Sequence, residues 1–203
     1  MRKLTKILLV CDILVCLVIL GMVMADKEAL SQELIRLHVV AASDSAADQA
    51  VKLQVRNAVL ESMDARLQQC CDTAEAKAYL TSCIPQLEET ANMILEQAGV
   101  SDRATVTLCR EEFPLREYDT FSLPSGVYES LRVTIGSGEG QNWWCVVFPS
   151  LCIPAAAQDT RSAAVSAGFS DHLAATLTGE EGYEISFFLL DCLGKLENLF
   201  HFG

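Results

Sequence analysis

The chain has 203 residues, which is enough for one domain, or for one domain with an appendage. Hydrophobic residues make up 51% of it and charged residues 21%, a balance that supplies a core and excludes an intrinsically disordered chain. The formal net charge of −12 argues against a nucleic-acid-binding protein, because such proteins carry a basic patch and this sequence shows none.

The N-terminus has the pattern of an export signal. Arg2, Lys3 and Lys6 precede an apolar run over residues 7–24 that only Asp12 interrupts. A basic segment followed by an apolar one is typical of a secretory signal peptide or a signal anchor. The run is about 18 residues long, the lower limit for spanning a bilayer. Asp12 would cost a permanent span about 2.5–3.5 kcal/mol, which favours export over anchoring.

The residues that follow agree with export. Val23 and Ala25 suit the −3 and −1 positions of a cleavage site after residue 25, and we interpret residues 26–33 as a polar connector. Residues 26–203 carry 12 Lys and Arg against 26 Asp and Glu, a formal charge of −14. Anionic lipid head groups repel such a domain, so we expect no direct lipid binding beyond the N-terminal segment.

The first part of the domain predicts one strand and one helix. An apolar run rich in branched residues predicts a strand over 34–40. Ser45, followed three residues later by Asp48, predicts the cap of a helix that runs to about Gln69. Apolar residues recur at helical spacing and give this helix one buried face, formed by Val51, Val55, Ala58, Val59 and Met63.

Two further helices are predicted before residue 100. Thr73 caps the first, over 74–82, and Pro85 fits the first turn of the second. Gly99 ends the second helix, because glycine commonly follows a helix C-terminus. Strands are predicted after these helices.

Alternating patterns predict strands over 104–111 and 128–135. The intervening stretch 113–124 contains two prolines and predicts a loop or an irregular edge. A glycine-rich turn over 136–140 leads into 143–148, which we predict to be the hairpin partner of 128–135.

The remaining residues carry weaker patterns. The Ala- and Ser-rich stretch 154–170 predicts a mobile loop, 171–178 a short helix, and 183–199 a strand that finishes as a helix. Together the elements predict a single α+β domain over 34–203, with a mostly antiparallel sheet covered by helices and preceded by the N-terminal signal or anchor helix.

The nine cysteines do not form a metal-binding pattern. No CxxC pair and no histidine at zinc-finger spacing occur, so we expect neither a metal nor a cofactor. Two cysteines lie in the leader, and the odd number of the others prevents full pairing within one chain. Cys145 and Cys152 bracket a proline-containing turn, and they form either a disulfide or two buried thiols.

Both tryptophans of the chain are adjacent, at Trp143 and Trp144, directly after the glycine-rich turn and Asn142. Neighbouring side chains of a strand point to opposite faces. We therefore expect one indole to lie in the core and the other to be a candidate hot spot for a protein partner, since tryptophan is enriched where interfaces concentrate binding energy.

Several polar residues have both a structural and a functional interpretation. His38 is either a core histidine held by a hydrogen bond or a partner contact. Asp48, Lys52 and Arg56 lie at i, i+4 and i+8 on one helix face, which is either solvated or a contact surface. Gln141 and Asn142 either satisfy the backbone of the turn or belong to that surface.

Two blocks of the sequence resemble the stage II sporulation protein R family. The first is the run from Ile35 to Ser45, continued by Asp48-Gln49, Lys52, Val55-Arg56 and Ala58-Val59-Leu60. The second comprises Phe113-Pro114, Tyr118, Leu123-Pro124-Ser125-Gly126, Tyr128 to Val133, Ile135-Gly136, Gly140 to Cys145, Phe148-Pro149 and Leu151-Cys152. The resemblance covers most of residues 34–152, and the sequence departs from the family after that.

The resemblance implies a non-enzymatic signalling protein of endospore formation. Such proteins are secreted across the forespore membrane into the intermembrane space, where they activate a membrane-bound aspartic protease that cleaves the precursor of sigma factor E. The partner implied is that protease. The candidate partner-binding residues are His38, Asp44, Asp48, Gln49, Lys52, Arg56, Arg132, Gln141, Asn142, Trp143 and Trp144.

Two other classes of function stay open. Cys145 with His172 and either Asp171 or Asp159 could form an exported cysteine hydrolase. No GxSxG, HExxH or phosphate-binding glycine loop supports catalysis, since the glycines at 136, 138 and 140 are not followed by a helix. An exported inhibitor or scaffold domain is the third alternative, and it differs only in its partner.

Overall fold

The computed structural model describes residues 2–117 and 122–149. Its three helices are α1 (Arg2–Glu33), α2 (Ala46–Leu67) and α3 (Thr73–Gln97). Its six strands are β1 (Ile35–Val40), β2 (Ala104–Phe113), β3 (Arg116–Glu117), β4 (Ser122–Leu123), β5 (Gly126–Ile135) and β6 (Asn142–Phe148). The fold is α+β, as predicted. The predictions for 154–170, 171–178 and 183–199 lie outside the described residues.

Four strands form one mixed sheet in the order β2-β5-β1-β6, and β3 pairs with β4 separately. The β2–β5 and β1–β6 pairs are antiparallel, whereas the central pair, β1 with β5, is parallel. The two outer pairs of the sheet are therefore antiparallel and the central pair is parallel. The prediction of a mostly antiparallel sheet is correct only in part.

The predicted hairpin between 128–135 and 143–148 is wrong. β6 pairs with β1, and β1 lies between β5 and β6. All six residues of β1 are buried, as expected for a strand with neighbours on both sides. The turn at 136–140 thus carries the chain across the end of β1 to the far edge.

The prediction of two helices between 74 and 98 is also wrong, because α3 is continuous through Pro85. Its cap is Asp72 and not the predicted Thr73, which is the first helical residue. The Asp72 carboxylate accepts the backbone N–H of Glu75 at 2.8 Å. Pro85 is exposed, and the buried stripe of α3 runs unbroken on the opposite side. Burial of that stripe offsets the roughly 3 kcal/mol that an interior proline costs a helix. The stripe comprises Ala76, Leu80, Cys83, Leu87, Ala91 and Leu95.

The segment 26–33, interpreted as a polar connector, forms the last two turns of α1. Leu30 is fully buried there, and the end of α1 contacts β5. Among residues 2–117 and 122–149, no helix has the length and apolar character needed to cross a membrane.

The two faces of the sheet differ in chemistry. Odd-numbered residues of β1, including Leu37 and Val39, join the main core with α2 and α3. Even-numbered residues face the other way, and Arg36 is among them, with no exposed surface. Its guanidinium carbon lies 3.9 Å from the ring centroid of Phe113 and 5.1 Å from that of Tyr128. A buried cation thus stands between two aromatic rings on the face that α2 and α3 do not cover.

Candidate functional site at the edge strand

The two tryptophans lie on opposite faces of β6, as the alternation of a strand predicts. Trp143 pairs with Val39 and lies against the main core, whereas Trp144 pairs with His38 on the other face. Both are partly buried. The guanidinium carbon of Arg56, from α2, lies 4.0 Å from the Trp143 ring centroid, and that of Arg116, from β3, lies 3.9 Å from the Trp144 ring centroid. Each indole therefore carries an arginine on one face.

Hydrogen bonds connect the turn before β6 to α2 and to the residues just before it. We call the four residues that make them the turn clasp: Asp44, Gln49, Lys52 and Gln141. The ammonium of Lys52 donates to the Gln141 carbonyl at 2.9 Å and to Oε1 of Gln49 at 2.6 Å. The Gln141 N–H donates to Oδ1 of Asp44 at 2.8 Å. These bonds hold the entry into β6 against the start of α2.

Lys52 is buried, so it does not belong to a solvated helix face. Burial, reinforced by the positive charge of Arg56, lowers the pKa of Lys52, although the carboxylate of Asp44 acts in the opposite direction. Asp48 accepts a hydrogen bond from the Ser43 hydroxyl, and its backbone N–H donates to the capping Ser45 at 3.1 Å. Lys52 and Asp48 therefore hold the chain around the start of α2 and the turn before β6. Of the three residues of the predicted charged face, Arg56 alone stacks on Trp143.

Gly140 lets the turn approach β1 closely. Its N–H donates to the Ala41 carbonyl at 2.9 Å. A side-chain carbon at this position would lie 2.3 Å from the Ser43 carbonyl oxygen. The close approach of the two backbones is what places Gln141 within reach of Asp44 and Lys52.

On the other face, four polar residues form a strand network that consists of His38, Glu111, Arg132 and Asn142. Nδ1 of His38 lies 3.1 Å from each carboxylate oxygen of Glu111, and Nε2 lies 2.8 Å from Oδ1 of Asn142. Arg132 approaches Glu111 at 3.5 Å. His38 is thus buried within a network that connects β1, β2, β5 and β6.

Burial alone would raise the pKa of Glu111, but the hydrogen bond from His38 and the positive charge of Arg132 outweigh it and lower that pKa. The folded chain then binds fewer protons than the unfolded chain just below the ordinary glutamate pKa of about 4.3. The stability contributed by Glu111 is therefore complete above that pH and is lost as the pH falls through the lowered pKa.

We expect Glu111→Gln to remove this acid-sensitive stability. The difference between the wild-type and variant free energies of unfolding should be largest near neutral pH and should shrink below about pH 4. Urea denaturation followed at pH values from 3 to 7 measures it. Glu112→Gln is the control, because Glu112 is the exposed neighbour on the same strand. A constant difference between wild type and Glu111→Gln at all pH values would contradict the assignment.

Sequence reasoning missed three residues that make these contacts or lie on the same side of the sheet: Arg36, Glu111 and Arg116. Arg36 gave a signal, because it is a lone charge in an apolar strand. Glu111 and Arg116 gave none, since their partners are 73 and 28 positions away in the sequence and only the fold brings them together.

Cys145 is buried and disulfide-bonded. The alternative of two buried thiols is therefore wrong for Cys145. Cys152, its partner in the disulfide alternative, lies outside the described residues, as does His172, so the pairing with Cys152 stays a prediction. A sulfur already committed to a disulfide is not available as the thiolate nucleophile of a hydrolase. Within residues 2–117 and 122–149, no group of three metal-ligating side chains occurs.

Comparison with known proteins gives one consistent result. The family model described as stage II sporulation protein R matches residues 31–158. The curated stage II sporulation protein R of Bacillus subtilis (strain 168) is 35% identical over 118 residues, which is 58% of this chain and 53% of that protein. The chain therefore spans about half the length of the curated relative that it matches. No solved structure matches the chain.

Proposed function

This chain belongs to the stage II sporulation protein R family, and we propose that it is a secreted signal of endospore formation that activates a membrane-bound aspartic protease. The active protease would cleave the precursor of sigma factor E. The observation that carries the proposal is the family match over residues 31–158, a range that contains every described strand.

Features of the chain support export and binding to a protein. The basic and apolar pattern of residues 2–24 favours secretion from the forespore into the intermembrane space. In the alternative form of this proposal, residues 7–24 stay in the forespore membrane and anchor the exported domain. The formal charge of −14 over residues 26–203 disfavours lipid and nucleic acid as ligands. The paired tryptophans supply large aromatic area at the edge of a rigid sheet, which suits a protein interface.

The mechanism we propose is a population shift and involves no bond-making by this chain. A ligand that binds the active form of a receptor more tightly than the inactive form raises the population of the active form by that difference in affinity. Candidate contacts are Arg56 and Trp143 on one face of β6 and Trp144 on the other. The turn clasp and the strand network hold these groups in place.

Reconstitution tests this function. The chain, the candidate protease and the sigma precursor would be produced together in a non-sporulating host, and precursor cleavage would be followed by immunoblot with and without the chain. We expect cleavage to depend on the chain and to persist in a His172→Ala variant, because His172 has a chemical role only in the hydrolase alternative. Cleavage without the chain, or its loss in secreted His172→Ala, would contradict the proposal.

A further inference from the structure

Two arginines stand out on this acidic chain because they are half-buried and yet, among the side chains that the structure describes, have no acidic partner. Arg66 pairs with Glu75, and Arg132 pairs with Glu111. No carboxylate whose side chain is described pairs with Arg56 or Arg116, whereas Arg103 and Arg110, which also lack such a partner, are exposed to water. Arg56 donates instead to the amide oxygen of its neighbour Asn57, at 3.0 and 2.7 Å. We call Arg56 and Arg116 the edge arginines.

The carboxylates at the turn clasp, at the start of α2 and in the strand network have partners of their own. Asp44 accepts the Gln141 N–H, Asp48 accepts the Ser43 hydroxyl, and Glu111 contacts His38 and Arg132. Burial lowers the pKa of Arg56, which means that desolvation of its charge is not fully offset within the described chain. Uncompensated cations are unexpected where acidic residues outnumber basic ones by 27 to 15. An external anion would supply the missing partner.

The edge arginines are also held in position. Each guanidinium lies about 4 Å from an indole centroid, so part of the entropy of fixing a long side chain is already lost before any ligand binds. A planar guanidinium fixed in this way keeps an edge of N–H donors that matches the two oxygens of a carboxylate.

The geometry of β6 restricts the kind of anion. β6 lies at the end of the four-stranded sheet, and no described strand pairs with its outer edge. Arg56 and Trp143 lie on one face, and Arg116 and Trp144 on the other. An extended segment added along this edge would point consecutive side chains to opposite faces. Two consecutive acidic residues would therefore place one carboxylate at each edge arginine.

We infer that the edge arginines and the two indoles form a binding site for an extended protein segment that carries two consecutive acidic residues. This inference rests on the proposed function for the identity of the partner, which would be the extracytoplasmic part of the protease. The recognition chemistry rests on the structure alone: two preorganised guanidinium groups on the two faces of an edge strand.

Peptide binding tests the site without the protease. The full chain in neutral detergent would be titrated against a fluorescein-labelled decapeptide with a central Glu-Glu pair in a Ser and Thr background, and anisotropy would be recorded. We expect saturable binding below about 1 mM. Arg56→Ala and Arg116→Ala should each weaken it roughly five- to tenfold. The matched control is Arg66→Ala, which removes the same charge from the helix that carries Arg56 and should leave binding unchanged.

Two further peptides test the spacing and the charge. A Gln-Gln peptide should bind much more weakly than Glu-Glu, and Glu-Ser-Glu, which directs both carboxylates to one face, should also bind more weakly. The quenching of Trp143 and Trp144, the only tryptophans of the chain, provides an independent signal.

The inference is overturned if no saturable binding occurs, if Arg66→Ala weakens binding as much as the edge variants, or if phosphatidylglycerol vesicles bind through the edge arginines and the peptide does not. If the peptide does not bind but precursor cleavage in the reconstituted host still depends on the chain, this site is wrong and the proposed function stands. Peptide binding without chain-dependent cleavage would remove the proposed function instead.

Discussion

Replacing Arg36 with alanine is expected to lower the free energy of unfolding by roughly 2–5 kcal/mol, the range observed when a large buried side chain is removed from a packed interior. Arg36 has no exposed surface, and its guanidinium carbon lies 3.9 Å from the Phe113 ring centroid. The variant would lose both the cation–π contact and the volume that fills the space between Phe113 and Tyr128. Chemical denaturation followed by far-UV circular dichroism measures the change.

Two controls separate stacking from charge at this position. Arg36→Lys keeps the charge but replaces the flat guanidinium by a compact ammonium, so it should recover only part of the stability. Arg110→Ala removes an exposed arginine from β2 and should change the free energy of unfolding by no more than about 0.5 kcal/mol. Wild-type stability of Arg36→Ala, or full recovery by lysine, would show that the aromatic packing is not what retains this arginine.

Gly140→Ala is expected to cost about 3 kcal/mol, the upper end of the range for overpacking. The added carbon would lie 2.3 Å from the Ser43 carbonyl oxygen and 2.6 Å from the Ser43 carbonyl carbon, and neither backbone atom can rotate away. The turn would have to leave β1, breaking the bond from Gly140 N–H to the Ala41 carbonyl and weakening the turn clasp. Thermal or urea unfolding reports the loss.

Gly99→Ala is the matched control for Gly140→Ala. Gly99 has a φ of 71° but open space around its missing side chain, so only backbone strain of about 1 kcal/mol is expected. If both variants lose the same stability, the collision with Ser43 is not the reason for glycine at position 140.

Local signals in the sequence predicted the elements that depend on local chemistry. The buried strand at 35–40 follows from its apolar run, and the start of α2 follows from the Ser45 cap, whose hydroxyl accepts the Asp48 N–H. The opposite faces of Trp143 and Trp144 follow from strand alternation alone. Each of these predictions needed only residues within a few positions of one another.

Predictions failed where distant parts of the chain compete. Pro85 indicated a helix boundary, but the stripe from Ala76 to Leu95 packs on the sheet as one surface. The glycine-rich turn indicated a hairpin between β5 and β6. Instead, β6 pairs with β1, which gives that buried strand a neighbour on each side. The same long-range pairing creates the site, because it places Lys52 beside Gln141 and His38 beside Asn142. The sequence pattern identified these residues as candidates, but it could not show that they are in contact.

The central claim is that the chain acts by docking the edge of β6 onto the protease. The most direct measurement is cleavage of the sigma precursor in the reconstituted host by a chain carrying Arg56→Glu and Arg116→Glu, compared at equal secreted level with wild type and with Arg66→Glu. We predict that the double variant loses cleavage about tenfold or more, because each reversed charge would repel an acidic partner, while Arg66→Glu signals normally. Wild-type cleavage by the secreted double variant would contradict the account.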